Sequence, residues 1–187
     1  IKFITQIKFG EKNIILINNM IESDIKKNID FVKKIIRDEL LELNLSKNKF
    51  KKLVKATNIN EFKSKIDKII DKRIYKKLKK TKINILSEEN NKSWKYLKKN
   101  TLTWIVDPLD GTINYNRELL KCGISIALFD GMIPLFGIIG IYPDMKIYYG
   151  GIDIKSRCNS NLIQVSNISK LHKSILCTGF PARYKFN

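Results

Sequence analysis

WIVDPLDGT, running from Trp104 to Thr112, starts as a buried strand and then carries two aspartates, a proline and a glycine. Pro108 lacks the N–H that a sheet ladder needs, so the strand is expected to end at Asp107 and the chain to bend, with Asp110 in the resulting turn. Both carboxylates then face one small space. Gly111 allows a backbone conformation closed to other residues, and Thr112 opens a helix whose free N–H groups face the same space. Free amides at a helix start attract phosphate, and paired hard anionic ligands attract Mg2+, so the pattern points to metal-assisted work on a phosphate ester. An isolated Asp-Pro or Asp-Gly pair marks only a surface turn. A calcium loop does not fit, because Leu109 breaks the alternation of acidic or amide groups.

A second acidic cluster lies upstream. INILSEEN, Ile83 to Asn90, reads as another strand that ends in two acids, Glu88 and Glu89. Carboxylates at adjacent strand ends can share one ion, which a turn-only reading of WIVDPLDGT does not provide for.

Around these stretches the chain changes character. Ser23 is placed to cap a helix whose apolar positions Ile25, Ile29, Val32, Ile36 and Leu40 step by three and four. A second helix fits Ile66, Ile70, Ile74 and Leu78, with lysines at its end to complement the dipole. Between them, LNLSKNKFKKLVKATNINEF has loop punctuation and no clear period. After KINIL come short segments rich in Ile, Val and aromatics: LTWIV, GISIALF, IPLFGIIGIY, KIYYGG, LIQVS and SILCT. Turn signals separate them, including the hairpin dipeptide Asp130-Gly131. Helices first and a largely antiparallel sheet after them make an α+β fold in one domain. Residues 1–20 are expected to be an uncertain or disordered N-terminal segment, as termini most often are. A start at Ile1 rather than methionine suggests a trimmed or fragmentary chain.

The 187 residues include 36 Lys+Arg against 18 Asp+Glu, a net charge of +18. That balance suits a polyanion, but the lysines are scattered, with no Arg-rich stripe and little aromatic interleaving of the kind that stacks bases, so nucleic acid is not the expected partner. Cys122, Cys158 and Cys177 have neither disulfide-framework nor zinc spacing, and a reducing cytoplasm is the expected setting. Cys122 and Cys177 read as small buried hydrophobes. His172, the lone histidine, reads as a surface residue, which excludes histidine-led triads. No apolar run is long enough to span a membrane, and a secretory signal peptide is not expected.

WIVDPLDGTINY with an upstream SEE resembles the inositol monophosphatase family, the lithium-sensitive, Mg2+-dependent sugar-phosphate phosphatases. The likeness continues through IALFDGMIPLFGIIGIY, the Gly150-Gly151 pair, Asn159, Val165-Ser166 and TGFP from Thr178 to Pro181. It covers roughly Ile25 to Pro181. The resemblance implies that Glu88 and Asp107, with the Leu109 carbonyl, hold one Mg2+, and that Asp107 and Asp110 bridge to a second. It makes Asp110, Gly111 and Thr112 the phosphate-binding residues, the last two through backbone N–H groups. The Thr112 hydroxyl would orient the attacking water. Glu88, Thr112 and Asp67 would be the catalytic group, Asp67 of FKSKIDK supporting Thr112, with Glu89 less directly involved. In an alternative register Asn58 of LVKATN takes the place of Asp67, where an amide could not act as a base.

The family's second signature, Trp-Asp-x-Ala-Ala-Gly, supplies a further metal-binding aspartate and does not occur in this chain. Residues 21–187 are therefore expected to form the N-terminal α+β portion of a layered αβαβα phosphatase fold with the C-terminal half absent, holding at most one metal weakly on its own. The implied substrate is a small sugar or inositol phosphate, with a homodimer possible by resemblance. A 3'(2'),5'-bisphosphate nucleotidase of the same superfamily is the alternative. From another class the rival is a basic RNA-binding module, whose salt-sensitive RNA affinity would survive loss of Asp107 and Asp110.

Overall fold

The computed structural model describes residues 22–47, 59–90, 97–119 and 121–177. Residues 1–20, Asn58 and the TGFP stretch lie outside the described residues. The order is helix α1 (Glu22–Leu45), helix α2 (Ile59–Leu78), strand β1 (Asn84–Ser87), strand β2 (Leu102–Asp110), a short helix α3 (Thr112–Arg117), then strands β3 (Cys122–Asp130), β4 (Ile133–Tyr142), β5 (Lys146–Gly151), β6 (Ile154–Cys158) and β7 (Asn161–Leu162). The strands form one sheet in sequence order. β1 and β2 are parallel, and each later pair is antiparallel. The expected α+β class holds.

Each helix buries the stripe that its apolar spacing defines. Ile29, Val32, Ile36 and Leu40 of α1 are buried, as are Ile66, Ile70, Ile74 and Leu78 of α2. They cover one sheet face, on which Trp104, Leu128 and Phe136 lie side by side across three strands, and next to them Val106, Ile126 and Ile138. α1 comes close at Gly140, where an added Cβ would lie 2.2 Å from Ile36 Cγ2. The helices are tied to each other through Glu39, 1% exposed, which accepts from Arg73 Nε and Lys77 Nζ, both at 3.0 Å. A carboxylate so deeply buried is tolerable only with such partners. The opposite sheet face is half open, and Ile139 on it remains 41% exposed.

Several local expectations change. α1 begins at Glu22, so Ser23 sits inside it rather than at its cap, and α2 begins at Ile59, inside the stretch read as a loop. β6, IKSRC, was not expected, since its alternation is polar. LIQVS and SILCT have strand composition, but β7 stops at Leu162, and 163–177 has no regular structure apart from a 3-10 turn at Leu171–Lys173. Val165 and Ile175 are each 92% exposed there. Strand propensity is realised only where a pleated neighbour is available, and backbone pairing with β6 goes no further than the Ile163 N–H to the Ser156 carbonyl at 3.0 Å. Cys177 is for that reason exposed, not buried. His172 is exposed, as expected.

Candidate active site

Parallel pairing of β1 with β2 sets the site. The register matches Ser87 to Val106, so the residues that follow each, Glu88 and Asp107, emerge side by side at the same end of the sheet. Glu88 and Glu89 open a 3-10 turn, Glu88–Asn90, directly after β1.

β2 does not stop at Asp107, contrary to expectation. It runs on to Asp110, and Asp107 pairs with Ser125 while Asp110 pairs with Gly123, so that three steps on β2 oppose two on β3. This is a bulge of one residue. Pro108 is accommodated because β1 has already ended, so no ladder bond on that side asks for its N–H. The buried Leu109 side chain anchors the bulge in the core. The extra residue re-aims the chain so that Asp107 and Asp110, three apart, line the same cleft.

Gly111 then turns with φ of +82°, a left-handed conformation that few other residues hold, and α3 begins at Thr112 as expected. The helix is pinned from below: the Tyr115 hydroxyl donates to the Leu43 carbonyl at 2.7 Å, and its ring meets Tyr142 edge-on. Thr112 is buried, its Oγ 2.9 Å from Asp67 Oδ1 and 3.0 Å from the Leu109 carbonyl oxygen. One hydroxyl proton serves one acceptor at a time. When it goes to Asp67, the carbonyl oxygen of Leu109 is left free to accept elsewhere. Asp67, 4% exposed on α2, is therefore an acid that meets the Thr112 hydroxyl, while Asn58 lies outside the described residues.

Asp67, Glu88, Glu89 and the run from Asp107 to Thr112 line one open cleft. All the acids singled out in the sequence, together with Leu109 and Gly111, are brought together there. Burial first, and then the charges of Glu88 and Asp110, push the Asp107 carboxyl up to about 7. A carboxylate so crowded by its neighbours is a site short of positive charge, and its donors are carboxylates plus a carbonyl, the hard oxygen set that suits Mg2+. Among the described residues no three acidic, Cys or His side chains are already drawn together as a metal cage. Like-charge repulsion acts in that direction. Among the described residues no lysine or arginine lines the cleft. Cys122, behind Gly111, is pushed up to about 11 by burial and the Asp110 charge, which keeps its thiol protonated and inert.

Sequence reasoning missed Asp71 and Ser87. Both are buried, and the Ser87 hydroxyl donates to Asp71 Oδ1. The available signal was the four-residue step from Asp67 to Asp71, which puts both acids on one flank of the α2 stripe.

A profile of the inositol monophosphatase family matches residues 22–185. The inositol-1-monophosphatase of Synechocystis sp. is 33% identical over 81 residues, 43% of this chain and 28% of its own length. Nus factor SuhB of Xylella fastidiosa is 30% identical over 125 residues, 66% of this chain and 44% of its own. The structure of inositol monophosphatase from Anabaena (Nostoc) sp. superposes with a TM-score of 0.62 at 24% identity, covering 81% of this chain and 54% of that one. At that identity the likeness shows the fold. The matched part of the chain spans less than half the length of these curated relatives and about half of the solved structure.

Proposed function

The chain belongs to the inositol monophosphatase family, and we propose that it provides the acidic cleft of a Mg2+-dependent phosphoric monoester hydrolase acting on a small sugar or inositol phosphate. The observation that carries this reading is the convergence of Glu88, Asp107 and Asp110 on one cleft, with Asp107 held near 7 by burial and by the other two charges. Names of the relatives, inositol-1-monophosphatase among them, support the substrate class.

In this reading Glu88, Asp107 and the Leu109 carbonyl would hold one Mg2+, and Asp107 with Asp110 would hold a second. When bound, the ions neutralise phosphate oxygens and make a coordinated water acidic enough to attack. The residues do the rest. Asp67 accepts the Thr112 proton, so that the Thr112 oxygen is oriented to accept a hydrogen bond from a water in the cleft. The N–H groups of Gly111 and Thr112 face the phosphate. Pro108 and Leu109, buried in the bulge, keep the acidic run from collapsing away from Glu88. No nucleophilic side chain is needed, which agrees with a protonated Cys122 and an exposed His172. Among the described residues no helix is long and apolar enough to cross a membrane.

The test is phosphate release from an inositol monophosphate by the protein that carries this chain, titrated with Mg2+ and then with excess chelator. Turnover is expected to rise with Mg2+, to stop in chelator and to be inhibited by lithium. Turnover that continues in excess chelator overturns the reading.

A further inference from the structure

α2 presents two buried carboxylates one helical turn apart, Asp67 and Asp71, the latter 8% exposed. Each accepts a hydroxyl from a different element that leads into the cleft. Asp67 is taken by Thr112, at the start of α3, and Asp71 by Ser87, the last residue of β1. Asp71 itself does not line the cleft. A carboxylate buried on the flank of the stripe of Ile66, Ile70 and Ile74 costs free energy that an apolar residue at 71 would not, and the Ser87 hydroxyl offsets part of that cost. Glu88 follows Ser87 directly, and the direction in which β1 releases its chain decides where the Glu88 carboxylate stands relative to Asp107.

We propose that Asp71 is a positioning residue for the metal site: by holding the Ser87 hydroxyl it fixes the strand end that delivers Glu88, and together with Asp67 it makes α2 a ruler that sets the separation between Glu88 and the Asp107–Thr112 run. The inference rests on the metal-binding reading of the cleft. Two points anchored on one rigid helix keep a fixed spacing of about 6 Å along it, so both walls move with α2 or not at all. Neither Asp71 nor Ser87 touches substrate. Their effect passes through Glu88, as the groups behind metal ligands commonly act.

The experiment measures Mg2+ binding by isothermal titration calorimetry to the parent protein and to Asp71→Ala, Asp71→Asn, Ser87→Ala and the Asp71→Ala/Ser87→Ala pair, with thermal melts alongside. Asp71→Ala and Ser87→Ala are each expected to weaken Mg2+ binding about ten-fold. The pair should be no worse than either single change, because the two act through one bond. Asp71→Asn, whose amide oxygen still accepts from Ser87, should bind within about three-fold of the parent. If Asp71→Ala does not fold, Ser87→Ala and Asp71→Asn carry the same comparison. Folded Ser87→Ala protein with the parent's Mg2+ affinity overturns the positioning role and leaves Asp71 as a structural pin between α2 and β1. A parent that shows no saturable Mg2+ binding removes the metal reading itself, and the inference with it.

Discussion

Thr112 Oγ stands 2.9 Å from Asp67 Oδ1 at the base of the cleft, joining residues 45 positions apart in the chain. The bond ties the first residue of α3 to the middle of α2 and decides which way the hydroxyl points. Asp67→Ala leaves the Thr112 proton to the Leu109 carbonyl, the oxygen proposed as a metal ligand. Turnover is expected to fall about 10²-fold, the order associated with a positioned proton-transfer group, and steady-state kinetics against substrate and Mg2+ would measure it. Asp67→Asn should recover part of the loss, since its amide oxygen still accepts.

Asp110→Asn and Glu88→Gln keep side-chain shape and remove charge. Both residues are exposed at the cleft, so each variant should melt within a degree or two of the parent while turnover falls about 10²-fold or more at fixed Mg2+. Near-normal turnover at low Mg2+ in either variant would remove that acid from the assignment.

Asp107 brings a pH dependence of stability. Its folded value of about 7 lies above the ordinary 3.8, because burial and the charges of Glu88 and Asp110 oppose ionisation. The folded chain therefore binds this proton more tightly than the unfolded chain does. Its contribution to stability is complete below 3.8 and is lost as pH rises through about 7. Partial exposure of the carboxyl moderates the size of the effect. In chelator, the parent's melting temperature should fall relative to that of Asp107→Asn between about pH 4 and pH 8, and profiles that run parallel over that window would contradict the origin given for the shift. Added Mg2+ should compete with the proton and release it on binding below about pH 7.

Gly140 tests the packing that carries the site. An added methyl there would lie 2.2 Å from Ile36 Cγ2, whereas at Gly137 the nearest neighbour would be Ala127 Cβ at 3.8 Å. Gly140→Ala is expected to cost about 1–3 kcal/mol through overpacking, and Gly137→Ala close to nothing. Chemical denaturation of both variants against the parent would show it.

What the sequence disclosed follows the range of the interactions involved. Asp107, Asp110, Gly111 and Thr112 are neighbours in the chain, so their convergence could be read from turn chemistry alone. Glu88 could be read because a short strand carries it to the sheet end. The partnership of Asp71 with Ser87 could not, because it joins a helix to a strand end across a turn and each residue looks unremarkable in its own segment. The bulge also escaped. A proline after WIV ordinarily ends a strand, and only the early end of β1 lets β2 continue through Pro108. LIQVS shows the opposite failure: its composition is that of a strand, yet composition does not say how far pairing will run, and pairing with β6 ends after Leu162 and Ile163.

The most direct measurement is a crystal structure of the protein grown with Mn2+ in place of Mg2+, with the ion located by its anomalous scattering. Both are hard divalent cations that favour carboxylate and carbonyl oxygens. The expected result is an anomalous peak in the cleft within bonding distance of Glu88, Asp107 and the Leu109 carbonyl, with Asp110 at its other side. A well-ordered cleft without a peak, or a peak held by residues other than these, would contradict the assignment of this acidic cleft as the metal centre.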